Sequence, residues 1–198
     1  MLAQLRKRDD PVIEKDLPAL RKSITAATEV LYCKQCPLFY FSAVQNGIIL
    51  GALCLCLAEI YNRIVDTIEV EANRASENSE MKRLAISGLD AASGLAQEST
   101  EPDALGQPAF FAEVSVIEWR NIMRKVVKAE IYGVEGRRDA CFMTLVRRLE
   151  ERQRSWHQND PSPDCPPTYH SVCNVEGRIP TCLMMLEDVR RLISRIEF

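Results

Sequence analysis

Two groups of residues in this 198-residue chain have the types and spacing to do chemistry, and both involve sulfur. The first is Cys33-x-x-Cys36, the spacing of half a zinc site or of a dithiol redox pair. A zinc site wants a second close pair, and Cys54-x-Cys56 is a poor match because positions two apart on a helix point to different faces. A redox pair usually stands in a βαβ setting, which the strand content here does not suggest. Packing at a helix end is therefore the expectation for Cys33 and Cys36, with the ligand and redox roles as alternatives. The second group is His157, Cys165, His170 and Cys173, two ligand types within 17 residues of a proline-rich stretch. Its spacing matches no zinc pattern, so metal binding there stays open.

The chain contains no nucleophile elbow, phosphate-binding glycine loop or metalloprotease signature, and its eight glycines never gather into a cradle. No catalytic residue, cofactor-binding residue or metal ligand is assigned, no cofactor is expected, and an enzyme is not the expectation. Lys+Arg 25 against Asp+Glu 28 gives a net charge of -3, without the basic excess of a module that neutralises many phosphates. Eight cysteines would suit a disulfide framework in a small secreted chain. The opening "MLAQLRKRDDPVIEKD" lacks the apolar core of a secretory signal, so an intracellular, reduced protein is expected. In that setting Cys54 and Cys56 read as small core hydrophobes.

The elements that must position these residues read as helices. Leu17, Leu20, Ile24, Ala27 and Leu31 recur at helical spacing after Asp16, a capping residue type, which predicts a tail over 1–16 and a helix over 17–34. Cys36-Pro37 ends it, since the residue before proline is pushed out of the α region. The next helix is expected over 38–74. It begins in "CPLFYFSAVQNGIILGALCLCLAEIY", uncharged over residues 37–58, and becomes amphipathic at Ile60, Ile64 and Ile68. Residues 38–58 are long enough to cross a bilayer. Adjacent Gln45 and Asn46 oppose that, and the uninterrupted apolar run over 47–58 has the length of a buried core helix, so the stretch is expected inside a bundle.

Residues 75–109, rich in Ser, Ala, Gly and acidic side chains, read as a long mobile insertion loop, with a brief helical turn over 80–86 as an option. "SVIE" at 115–118 has capping-box spacing, and Gly133 is placed to stop the helix that follows. A further helix is expected over 136–158, then a loop over 159–180 with five prolines, then a last helix from Thr181. "EVSVIE" is the one ambiguous strand pattern. The expected fold is all-α: one irregular helical bundle, residues 17–198, around a long apolar central helix with a long mobile loop.

Three stretches carry a resemblance. The cysteine-proline entry and long helix over 36–72, the segment "AEIYGVEGRRDACFMTLVRRLEERQRSWHQ", and the closing "LMMLEDVRRLISRIEF" are similar to the regulatory region of fungal aflatoxin-regulator-type transcription factors. In that family a Gly/Tyr-containing turn and an acidic residue precede an arginine-bearing helix, as Tyr132, Gly133 and Glu135 do here. The resemblance implies a helical regulatory domain in the nucleus, controlling a secondary-metabolite gene cluster. It implies partners among other transcriptional proteins or a co-activator, with no small-molecule substrate and no membrane. The family's six-cysteine cluster, which binds two zinc ions and contacts DNA, is not present in these residues, so DNA is expected to be reached only indirectly or through that missing module. Candidate contact surfaces are the arginine face at Arg138, Arg148 and Arg152 and the acidic 75–109 loop. A non-transcriptional helical interaction module and a membrane-anchored helical protein are the alternatives.

Overall fold

The structure, a computed structural model, describes residues 13–86, 110–136, 138–159, 163–166 and 177–198. Among them are five helices: α1 (Ile13–Leu31), α2 (Tyr40–Glu77), α3 (Val116–Tyr132), α4 (Phe142–Gln158) and α5 (Thr181–Ser194). Short 3-10 turns lie at Cys36–Leu38 and Arg138–Ala140, and strands β1 (Lys82–Ile86) and β2 (Phe110–Val114) form an antiparallel ribbon. The fold is all-α around the long apolar α2.

Helix boundaries differ from the sequence reading where a cap was misassigned. α1 begins at Ile13, so Asp16 lies inside the first turns, buried, rather than before them. Pro18 also lies inside α1, past its first turn, where it removes one backbone donor from the helix. At the other end Tyr32 N–H still donates to the Thr28 carbonyl at 3.0 Å, but the helix stops at Leu31, ahead of the expected residue 34. The capping box is formed: Ser115 N–H donates to the Glu118 carboxylate at 3.0 Å and Glu118 N–H to Ser115 Oγ at 3.3 Å. Gly133, at φ +81°, ends α3 in the left-handed region that glycine enters without a Cβ penalty.

Two expectations are corrected. Residues 80–86 do not make a helical turn: Lys82–Ile86 is a strand, paired Lys82 to Val114 through Ile86 to Phe110. One isolated helical turn fixes many dihedrals for a single hydrogen bond, whereas a ladder satisfies donors and acceptors along its length. "EVSVIE" is divided rather than uniform, with Val114 closing β2 and Ser115 capping α3. Of the loop expected over 75–109, residues 75–86 are therefore ordered, and residues 87–109 lie outside the described residues.

The chain divides into two compact units. One comprises the described residues of Met1–Thr67 and Arg124–Phe198. Its core is Leu20 and Ile24 of α1, Leu57, Tyr61 and Ile64 of α2, Val127 and Ile131 of α3, Phe142, Val146 and Leu149 of α4, and Leu186, Val189 and Ile193 of α5. Arg21 Nε donates to Glu130 at 2.7 Å. The other unit, Ile68–Met123, buries Ile68, Ala72, Ala75 and Trp119. There Arg74 donates to Glu71 at 2.7 Å and to Glu80 at 2.8 Å, Lys82 pairs with Glu71, and the Lys82 ammonium sits 5.1 Å from the Trp119 ring centroid.

Candidate functional site

The uncharged first half of α2 is divided between two faces. Gly47, Leu50, Gly51, Cys54, Leu57 and Ala58 are buried. The glycines, four apart on one face, allow close approach: a Cβ on Gly47 would stand 2.8 Å from Gln153 Oε1 of α4, and one on Gly51 would stand 3.3 Å from Met185 Sδ of α5. On the opposite face Phe41, Gln45, Ile48, Ile49 and Ala52 follow helical spacing and are exposed, Phe41 by 70% and Ile49 by 54%. The sequence reading placed this stretch inside a bundle. Among the described residues, those that pack on it cover one side, where the two glycines let α4 and α5 approach closely.

The start of this face is fixed by residues distant in sequence. Cys36–Leu38 forms the 3-10 turn with Pro37 at its beginning, and Phe39 is extended, at φ -114° and ψ 129°. Tyr40 N–H donates to the Asp164 carboxylate, at 2.9 and 3.1 Å to its two oxygens, so a residue of the proline-rich segment caps the helix N-terminus. The buried Tyr40 ring meets Trp156 at 6.1 Å and Phe41 edge-on at 5.4 Å. Leu38 and Phe39, exposed by 65% and 56%, extend the apolar surface beyond the end of α2.

The arginine face of α4 is not one surface. Arg148 lies 3.4 Å from Asp139 and 5.4 Å from the Tyr32 ring centroid. Arg147 pairs with Glu151 at 2.7 Å, and Glu150 takes both Arg154, at 2.8 Å, and Arg190. Arg138 is exposed in the turn before the helix. Arg152 points inward: one nitrogen donates to the Leu31 carbonyl at 3.5 Å, the other is buried without a hydrogen-bond partner, and desolvation lowers its pKa.

Beside it are the two thiols of the Cys-x-x-Cys spacing. Cys36 S–H donates to Cys33 Sγ across 3.0 Å, which holds the Cys33 pKa below and the Cys36 pKa above the ordinary thiol value, and the Arg152 charge favours the thiolate of both. Of the second sulfur group, His157 and Cys165 are not brought together as ligands: Cys165 Sγ meets the Pro166 carbonyl at 3.8 Å, and His170 and Cys173 lie outside the described residues. His157 Nε2 instead lies 3.1 Å from Cys182 Sγ in the first turn of α5, while Nδ1 is buried without a hydrogen-bond partner and burial lowers the imidazole pKa. Cys54, fully buried, is inert, its pKa pushed up to about 12. Among the described residues no three His, Cys, Asp or Glu side chains gather as a metal would require.

Sequence reasoning missed Cys182, Asp164, Gln153 and the glycine face. Only the i, i+4 spacing of Gly47 and Gly51 was visible in the sequence. Neither a family model, nor a curated protein, nor a solved structure matches the chain.

Proposed function

We propose that the chain is a transcription-regulatory domain of the aflatoxin-regulator type, acting in the nucleus by binding other transcriptional proteins or a co-activator. DNA is reached through those partners or through a zinc-cluster module. It works by contact rather than by catalysis. The observation that carries this reading is the uncharged, exposed face of α2, Phe41, Gln45, Ile48, Ile49 and Ala52, continued by Leu38 and Phe39. Contiguous apolar surface exposed on a folded domain marks an interaction site, and an aromatic such as Phe41 is the residue type that dominates interface energetics. The resemblance over α2, α4 and α5 supports a regulatory setting, and the near-neutral charge suits protein partners better than bare nucleic acid.

A second reading is favoured by the same helix. α2 is long and apolar enough to cross a membrane, and only 39% of its most apolar window is buried. The experiment that separates the two compares the native chain with Phe41→Glu/Ile48→Glu in two assays: binding to liposomes of zwitterionic and anionic lipid, and chromatin association in the host cell. The regulatory reading expects chromatin association that the double variant loses and no liposome binding. Liposome binding lost by the variant, without chromatin association, replaces it with the membrane reading.

A further inference from the structure

Cys33 and Cys36 touch each other but face different surroundings. Cys33 borders an open groove of about 520 Å³, walled by Ile24, Thr28 and Tyr32 of the α1 end and by Asp139 and Ala140 of the turn before α4. That volume falls in the range of small-molecule sites. Cys36 lines a separate recess of about 10 Å³ with Asn46, Arg152, Gln153 and Trp156, room for about one water. Into the same region reaches the Arg152 guanidinium, whose second terminal nitrogen is buried with no hydrogen-bond acceptor. A desolvated cation with an unfilled donor is stabilised by negative charge placed beside it, and a thiolate supplies that charge.

We propose that Cys33 and Cys36 form a thiol–disulfide exchange site for small-molecule disulfides, with Cys33 as the attacking sulfur on the groove and Cys36 as the resolving sulfur in the recess. The Cys33 thiolate attacks one sulfur of the small disulfide, forming a mixed disulfide and releasing one small thiolate. Cys36 then loses its proton, and its sulfur attacks Cys33 Sγ, closing the Cys33–Cys36 bond and expelling the second small thiolate. The pair gives up two electrons, and the small disulfide is reduced to two thiols that take up the two protons. The Cys36 S–H bond to Cys33 serves the first step by favouring the Cys33 thiolate, and the contact between the sulfurs serves the second.

The test incubates the full chain with mixtures of oxidised and reduced glutathione, traps free thiols with an alkylating agent and maps the products by mass spectrometry. The native chain is expected to accumulate the Cys33–Cys36 disulfide. Cys36→Ser is expected to halt at a glutathione adduct on Cys33, and Cys33→Ser to leave Cys36 unmodified. Arg152→Met is expected to slow exchange at Cys33 by about tenfold at neutral pH and to raise the midpoint of its alkylation pH profile, with Arg152→Lys restoring part of both. The native chain alone can overturn the proposal: glutathione added first to Cys36, Cys56, Cys165 or Cys182, or a Cys33 alkylation midpoint at or above the ordinary thiol value, contradicts it.

Discussion

His157 ties stability to pH with a definite sign. Its burial favours the neutral imidazole, so the folded pKa lies below the unfolded value of about 6.5, and the unfolded chain binds the extra proton first. The stability that depends on neutral His157 is present above that value and is lost as pH falls through the folded one. The melting temperature is expected to drop on acidification below about 6.5, and His157→Gln to flatten that part of the profile. Glu71 acts lower on the scale. Hydrogen bonds from Arg74 and Lys82 pull its pKa down to about 2, so its share is present above the unfolded carboxylate value and disappears on approach to the folded one. Glu71→Gln should lower stability above the unfolded carboxylate value and flatten the acid limb, the two chains converging as pH approaches about 2. Neither pairing was legible in the sequence, where His157 was grouped with Cys165. Its actual neighbour, Cys182, is 25 positions away, beyond a loop whose course no local signal specifies.

At the scale of elements, the helices were legible because a stripe of apolar residues at 3.6-residue period has few other uses in a chain of this composition. The capping box and Gly133 fixed two ends for reasons that are local. The β ribbon was not legible, since each strand is short and its pairing, Lys82 with Val114, depends on a partner far along the chain. The close approach on α2 was half legible: spacing put Gly47 and Gly51 on one face but did not say what that face meets. This gives a prediction whose sign discriminates. In an exposed helix, replacing glycine by a larger apolar residue stabilises by up to about 1 kcal/mol. With Met185 Sδ 3.3 Å from the position of a Gly51 Cβ, Gly51→Leu should instead destabilise by about 1–3 kcal/mol in urea unfolding. The distant cap gives another: Asp164→Ala, which leaves the Tyr40 N–H without its acceptor, should lower stability by about 1 kcal/mol.

For the whole molecule, α2 has a face that holds the fold and a face that does not. Leu57 is fully buried, whereas Ile48 is 51% exposed nine residues earlier on the same helix. Leu57→Asp places a charge in the core and should abolish cooperative unfolding, because the penalty rivals the total stability of a domain. Phe41→Glu/Ile48→Glu should leave the melting temperature nearly unchanged and remove only what docks there. The sequence showed that the first half of this helix was apolar all round but could not divide it, since the division depends on which side α4 and α5 occupy.

Chromatin occupancy of the tagged native chain and of Phe41→Glu/Ile48→Glu, measured side by side in the host cell with thermal melting of both purified proteins, tests the central claim most directly. The account predicts that the native chain occupies chromatin and that the double variant melts alike yet is absent from it. Equal occupancy by the two, or no occupancy by the native chain, would contradict the claim that the exposed face of α2 recruits this domain to its regulatory partners.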